Sequence, residues 1–144
     1  MKALTYIDLF AGAGGLSEGF IRAGFDPIAH VEMDKAACLS LKTRAAYHYL
    51  KSHNKFEYYI SYLRGDLKRS ELYELIPDQI LDSVINLSIS SDNNEKIHRL
   101  IQNQLGKNEV DLIIGGPPCQ AYSLVGRARS ENSMNGDPRN YLYV

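Results

Sequence analysis

One stretch near the amino terminus decides the fold: Thr5-Tyr6-Ile7-Asp8-Leu9-Phe10-Ala11-Gly12-Ala13-Gly14-Gly15. Its first half, Thr5 to Leu9, is a short apolar run of the kind that forms a buried parallel strand. The glycines after it allow a sharp turn and a close approach of the backbone to a ligand, which the N–H groups of a following helix can face. The stretch therefore predicts a strand, a ligand-binding turn and the start of a helix.

Strands and helices alternate along the rest of the sequence. The first predicted elements are a helix from Gly15 to Ala23 closed by Gly24, a strand from Ile28 to Val31, and a helix that is capped by Asp34 and runs to about Leu50. Later elements are a polar linker from Asn86 to Asn94, a helix with an apolar stripe (Ile97, Leu100, Ile101, Leu105) that ends at Gly106, and a buried strand from Val110 to Ile114. This order predicts an α/β fold with a doubly wound, mostly parallel sheet.

The composition is that of one domain without a disulfide framework. The 144 residues carry a net charge of −1, so a DNA partner would be gripped by a small patch or by another piece of protein. The two cysteines, Cys38 and Cys119, lack metal-ligand spacing, and no metal is predicted. No signal peptide or membrane-spanning stretch is visible, which predicts a cytoplasmic location without a membrane partner.

Aromatic and basic residues alternate between Tyr47 and Tyr62. This segment holds five of the ten tyrosines, together with Lys51, His53 and Lys55. Such a pattern can form a surface for nucleic acid. We favour the simpler interpretation, half-exposed tyrosines on a helix end and a neighbouring strand.

The glycine turn indicates a cofactor that contains adenosine. The spacing Gly12-x-Gly14 matches the start of the dinucleotide fingerprint, but Ser17 replaces its third glycine. Glu32, twenty positions after Gly12, ends the second predicted strand, where an acidic residue binds the hydroxyls of a ribose. A nicotinamide or flavin dinucleotide and S-adenosylmethionine both fit. Phe10 and the missing glycine favour S-adenosylmethionine, which has no pyrophosphate.

Cys119 follows the last predicted strand in a loop that two prolines make rigid. A loop at the carboxyl end of a parallel strand is where ligands bind in an open α/β sheet. Rigid presentation of one thiol suits a nucleophile, because a misplacement of about 1 Å can cost about 100-fold in rate. For Cys38, which falls inside a predicted helix, we expect a role in the core.

Five motifs occur in one order along the chain. They are Asp8-Leu9-Phe10-Ala11-Gly12-Ala13-Gly14-Gly15, Val31-Glu32-Met33-Asp34, Gly65-Asp66-Leu67, Gly115-Gly116-Pro117-Pro118-Cys119-Gln120-Ala121-Tyr122-Ser123 and Asp137-Pro138-Arg139-Asn140-Tyr141-Leu142. With these motifs the chain resembles the N-terminal half of the DNA (cytosine-5)-methyltransferase family, and the Pro-Cys-Gln element is the most specific of them. The resemblance implies a Rossmann-like, S-adenosylmethionine-dependent methyltransferase fold, here incomplete.

The resemblance also implies roles for individual residues. Phe10 and Met33 would border the adenine, although many family members have an aromatic residue at the second position. Glu32 would bind the ribose, and Asp66 would accept a hydrogen bond from the adenine amine. The other implied cofactor-binding residues are Ala11, Gly12, Ala13, Gly14, Leu67, Pro117 and Leu142. Cys119 would be the catalytic nucleophile, and the implied substrate-binding residues are Pro118, Gln120, Ser123, Arg127 and Arg129, of which the two arginines fit a solvated loop equally well.

The implied function is DNA cytosine-C5 methylation in a bacterial restriction-modification system, with S-adenosylmethionine as cofactor and double-stranded DNA as partner. We expect the cysteine to form a covalent bond to C6 of a flipped-out cytosine. A tRNA cytosine-C5 methyltransferase, a silent regulatory module that binds cofactor or a partner, and a dinucleotide-dependent oxidoreductase are the alternatives. The implied location is the bacterial cytoplasm, in association with the nucleoid.

The domain organisation expected from the resemblance is partial. Residues 1–144 would be the N-terminal part of the catalytic domain, with a variable insertion at 68–109 and without the target recognition domain. Because the sequence stops inside a predicted helix that starts near Pro138, we interpret it as a fragment. Alone, it is expected to bind cofactor weakly or not at all and not to methylate DNA, since the missing part or a complementary subunit carries the other catalytic groups.

Overall fold

The computed structural model describes residues 2–117, in which strands and helices follow one another with a run of four helices between the second and third strands. In chain order the elements are β1 (Thr5–Leu9), α1 (Gly15–Arg22), β2 (Asp26–Glu32), α2 (Lys35–Ser52), α3 (Phe56–Arg64), α4 (Arg69–Glu74), α5 (Asp78–Asp82), β3 (Val84–Asn86), α6 (Asn94–Leu105) and β4 (Leu112–Gly115). Asp34 caps α2 as predicted, because its side chain accepts a hydrogen bond from the N–H of Ala37 at 2.7 Å.

The four described strands form one parallel sheet in the order β3-β2-β1-β4. Successive residues of a strand point to opposite faces, so neighbouring side chains on β3 identify the layers. Val84 packs with Cys38 and Leu41 of α2, whereas Ile85 packs with Ile97 of α6. Helices therefore cover both faces, which confirms the α/β, doubly wound and Rossmann-like prediction.

Two predicted segments, one after α2 and one before α6, differ from the structure. The segment after α2 is the helix α3 instead of a strand, because Tyr59 and Tyr62 stand three positions apart and pack together on one helical cluster with Leu50 and Leu72. The predicted polar linker begins inside β3, whose three residues are too few to show a periodic pattern. In the short strand β3 and the tyrosine-rich helix α3, tertiary packing outweighs the local sequence pattern in deciding the secondary structure.

The strand predicted from Val110 to Ile114 is shifted and less buried than expected. It runs as β4 from Leu112 to Gly115, and 63% of the Ile113 side chain is exposed. Within the described residues β4 pairs only with β1.

The predicted insertion, 68–109, contains parts of the sheet and of its cover. β3 pairs with β2, and α6 packs against the same strand. The residues before β3 form α4 and α5, which lie with α2 and α3 in a separate helical cluster around Leu50 and Leu72. Its status as a variable insertion remains a prediction. In the part of the chain from 2 to 117, no helix has the length and apolar character to cross a membrane.

Candidate active site

The turn between β1 and α1 adopts backbone conformations that favour glycine. Gly12 and Gly14 have φ values of +54° and +84°, and Phe10, which is not a glycine, has a φ of +59°. A left-handed conformation at a non-glycine residue costs about 1–3 kcal/mol and is concentrated at functional sites. Gly14 is also the N-cap of α1, so the exposed N–H groups of the first helical turn begin here.

Close packing adds a second requirement for glycine at the same turn. A Cβ atom on Gly14 would lie 2.8 Å from Cδ2 of Leu41 in α2. The turn is also tied to β2, since the N–H of Ala11 donates to the carbonyl of Val31 at 3.1 Å. This anchoring fixes the position of the turn over the carboxyl ends of β1 and β2.

Glu32 ends β2, as the sequence predicts, and both of its carboxylate oxygens accept main-chain hydrogen bonds. Oε2 accepts from the N–H of Gly12 at 2.7 Å, and Oε1 accepts from the N–H of Asp34 at 2.8 Å. A carboxylate has about four acceptor sites, two on each oxygen. One site on each oxygen is therefore left for a ligand, which matches the two neighbouring hydroxyls of a ribose.

Asp8 lies at the carboxyl end of β1 and is almost fully buried, with 1% of its surface exposed. Neither carboxylate oxygen has a hydrogen-bond partner within the described residues. Burial, with a smaller contribution from the charge of Glu32, raises the pKa of Asp8 to about 6. Sequence reasoning gave Asp8 no role, although a buried acidic residue inside an apolar strand was a visible signal.

Ser17, which replaces the third glycine of the dinucleotide fingerprint, belongs to a buried polar network. Its Oγ lies 2.7 Å from Nε2 of His30 and also hydrogen-bonds the hydroxyl of Tyr6. Burial lowers the pKa of His30 to about 4, so its imidazole is neutral at physiological pH. A glycine here would leave the tyrosine and the histidine without this partner, which explains the departure from the fingerprint.

Asp66 and Leu67 lie in the turn between α3 and α4 and do not follow a strand of the sheet. Asp66 is exposed in the turn between α3 and α4, where its N–H donates to the carbonyl of Ser61 at 2.9 Å. Leu67 packs against the helical cluster around Leu50 and Leu72. The motif Gly65-Asp66-Leu67 has the same three residue types as the family's motif, but here it follows the helix α3, of which Gly65 is the C-cap.

Asn86, which the sequence analysis did not single out, stands at the end of β3 beside Glu32. Its Nδ2 donates to the carbonyls of Glu32 at 3.0 Å and of Met33 at 2.9 Å. Two carbonyl acceptors fix the orientation of the amide, which turns Oδ1 away from them. Among the described residues Oδ1 accepts no hydrogen bond. The side chain of Met33 next to it is 71% exposed.

β4 brings the start of the cysteine loop beside the glycine turn between β1 and α1. Leu9 and Gly115 are partners in the parallel register, and a Cβ atom on Gly115 would lie 2.2 Å from the carbonyl oxygen of Leu9. Gly115 therefore permits the close pairing of β1 and β4 where both strands end. Pro117, which follows, is half-buried.

The remaining predicted site residues lie outside the described residues. They are Pro118, Cys119, Gln120, Ser123, Arg127, Arg129 and Leu142. Cys38 is described and is 4% exposed in the core, as predicted. Within residues 2–117 no three histidine, cysteine, aspartate or glutamate side chains are grouped so that they could hold a metal ion.

A strand, a glycine turn and a helix, with a carboxylate at the end of the next strand, form the arrangement by which α/β domains commonly bind the adenosine part of a cofactor. The family model for C-5 cytosine-specific DNA methylases matches residues 4–68 and 79–144. The chain therefore belongs to this family.

Three relatives illustrate the similarity. The chain is 43% identical to the type II methyltransferase M.Bpa9945I of Bacillus paralicheniformis, over 97% of this chain and 36% of that protein. It is 32% identical to M1.HphI of Haemophilus parahaemolyticus, over 98% of this chain and 27% of that protein. For M.XorII of Xanthomonas oryzae pv. oryzae the identity is 30%, over 96% and 24%. The chain thus spans about a quarter to a third of these relatives. No solved structure matches it.

Proposed function

We propose that the protein is a type II DNA cytosine-C5 methyltransferase that takes the methyl group from S-adenosylmethionine. The sequence Gly115-Gly116-Pro117-Pro118-Cys119-Gln120, which continues from β4, carries this proposal. β4 ends beside β1, so the cysteine loop leaves the sheet next to the glycine turn. In open parallel sheets this edge is the one at which ligands bind.

The residues around the glycine turn fit S-adenosylmethionine. Glu32 would accept hydrogen bonds from both ribose hydroxyls, and Phe10 and Met33 would border the adenine. The turn from Ala11 to Gly14 would lie along the methionine part, and Pro117 and Leu142 would close the pocket. The buried carboxyl of Asp8 makes this pocket negative when ionised, which suits a cofactor with a sulfonium charge. When bound, this cofactor supplies an electrophilic methyl group.

For the adenine amine we propose Asn86 instead of Asp66. Oδ1 of Asn86 has the acceptor character that an amine requires, and its amide is held by carbonyls of Glu32 and Met33, the residues proposed for ribose and adenine. Asp66 and its neighbour Leu67 lie between α3 and α4, so we omit both from the pocket.

The thiolate of Cys119 would attack C6 of the cytosine ring. The new C6–S bond converts the ring to an enamine that is nucleophilic at C5, and C5 then takes the methyl group. A base removes the proton from C5, the C6–S bond breaks, and the thiolate is regenerated. Because the target base is stacked inside a duplex, it must leave the stack to reach the cysteine.

The duplex would be held near this loop by Pro118, Gln120, Ser123, Arg127 and Arg129. We propose that target recognition and the remaining catalytic groups come from the regions by which the relatives exceed the aligned segment, in the same polypeptide or in a complementary subunit. The protein would act in the bacterial cytoplasm on nucleoid DNA.

Covalent trapping tests the proposal. Cytosine with fluorine at C5 cannot lose a proton there, so the complete protein, with its remaining region or complementary subunit and S-adenosylmethionine present, should accumulate an adduct with a 5-fluorocytosine duplex that resists denaturation. The Cys119→Ser variant should form none, whereas Cys38→Ser, which alters a buried core cysteine, should form the adduct as the wild type does. An adduct with 5-fluorocytosine tRNA but not with DNA would contradict the proposed substrate.

A further inference from the structure

A groove on the outer side of α1, α2, α3 and α4 carries a cluster of arginine and tyrosine residues. Its volume is about 560 Å³, and its lining includes Arg22, Arg44, Arg69, Tyr47, Tyr59 and Tyr62. Each arginine comes from a different helix, so the cluster exists only in the folded chain. The function proposed above uses none of these residues.

Positive charge is concentrated in the segment that forms α2, α3 and the first residue of α4, and this segment supplies Arg44 and Arg69 to the groove. Residues 35–69 contain eight lysines and arginines but only two acidic residues, a formal charge of +6, although the whole chain has a net charge of −1. The rest of the chain therefore carries a formal charge of about −7. A positively charged segment that contributes arginines to one groove is the kind of feature that contacts nucleic acid.

The carboxylate of Glu18 forms ion pairs with two of the three arginines of the groove, and its single charge does not neutralise all three. Glu18 lies 2.9 Å from Nε of Arg22, 3.5 Å from a guanidinium nitrogen of Arg44 and 2.9 Å from Nε2 of His48. Arg69 forms no ion pair within the described residues. A guanidinium has five N–H donors, so two arginines that share one carboxylate retain donors for a phosphate.

The tyrosines favour the DNA backbone over unstacked bases. The ring of Tyr47 makes an edge contact with that of Tyr59 at 5.2 Å, and Tyr59 stacks on Phe56 at 5.9 Å, so these rings are already engaged within the cluster. The hydroxyls of the tyrosines can donate to phosphate oxygens as tyrosine commonly does. Burial raises the pKa of Tyr59, which keeps its hydroxyl protonated.

We propose that this groove binds the phosphodiester backbone of duplex DNA outside the target base. The proposal rests on DNA being the substrate, as argued above, and adds a contact that positions the duplex without reading its sequence. It changes the interpretation of the Tyr47–Tyr62 segment, because the structure supplies the arginines that the local sequence does not show together. A contact of this type weakens as salt increases, by about 0.9 in log K per log salt for each phosphate.

The test is the salt dependence of binding to a fluorescein-labelled duplex. The variant Arg22→Gln/Arg44→Gln/Arg69→Gln should lower the slope of log K against log salt by about 2–3 and weaken binding at least 10-fold at moderate salt. The loss should be equal for duplexes with and without the target site. The matched control is Lys96→Gln/Arg99→Gln/Lys107→Gln, which removes the same charge from exposed positions on and after α6.

Two measurements keep the result interpretable. Arg69→Gln alone, which breaks no ion pair in the described structure, should lower the slope by about 0.9 and should leave the thermal unfolding unchanged. Slopes in the triple variant that equal those of the control would overturn the proposal, as would a loss confined to the target sequence. The titration measures DNA binding and not methyl transfer, so failure of the proposed chemistry and failure of the groove give different results. Cys119→Ser should leave the slope of log K against log salt unchanged.

Discussion

Glu32 connects three parts of the site at the scale of a single side chain. Its carboxylate accepts from the N–H of Gly12 in the glycine turn and from the N–H of Asp34 before α2. Hydrogen bonds to an ionised acceptor contribute about 1.5–3 kcal/mol each. The carboxylate is therefore oriented before a ligand arrives, which reduces the entropy lost on binding.

Replacement of Glu32 by Gln should weaken binding of S-adenosylhomocysteine at least 10-fold. A glutamine amide offers one accepting oxygen and one NH2 group, so it cannot accept from both N–H groups and both ribose hydroxyls. Calorimetric titration measures the affinity. Removing the ribose 2′-hydroxyl from the ligand should cost affinity in the wild type and much less in Glu32→Gln. Equal losses in the two proteins would show that the carboxylate does not contact this hydroxyl.

At the scale of elements, the unit formed by β1, the glycine turn and α1 depends on glycine for two separate reasons at Gly14. Its φ of +84° lies in the left-handed region, and a Cβ atom would approach Leu41 of α2 to 2.8 Å. Gly24, after the same helix, has a φ of +89° but open space around it. A comparison of substitutions at these two glycines therefore separates the cost of backbone strain from the cost of altered packing.

Gly14→Ala should reduce the free energy of unfolding by more than Gly24→Ala does. The left-handed backbone costs a non-glycine residue about 1–2 kcal/mol at either position. At Gly14 the contact adds a further loss of about 1–3 kcal/mol, because the buried Leu41 side chain must leave its packed position or α2 must shift. Urea unfolding monitored by circular dichroism gives both values. Equal losses would mean that α2 adjusts without cost.

Local sequence patterns predicted the elements on either side of the glycine turn but not those from the end of α2 to β3. The apolar run Thr5–Leu9, the cap at Asp34 and the acidic strand end at Glu32 act over a few residues, and the structure contains all three features. The helix α3 and the short strand β3 depend on distant packing partners. For that reason Asn86 was missed, and a motif match at Asp66 pointed to a helical turn.

At the scale of the whole molecule, two buried titratable groups give stability opposite dependences on pH. Asp8 and His30, which pair in the register of β1 and β2, have pKa values of about 6 and about 4. The raised pKa of Asp8 gives stability that is present below pH 3.8 and lost as the pH rises through 6. The lowered pKa of His30 gives stability that is present above pH 6.5 and lost as the pH falls toward 4.

Between about pH 4 and 6 these two slopes oppose each other, so each conceals the other in the wild type. Asp8→Asn removes one of them. Its free energy of unfolding should exceed that of the wild type by about 1–3 kcal/mol at pH 7, and the difference should shrink as the pH falls toward 4. Urea unfolding at a series of pH values measures this, with the exposed Asp92→Asn as the control. A difference that does not vary with pH would mean that folding does not raise the pKa of Asp8.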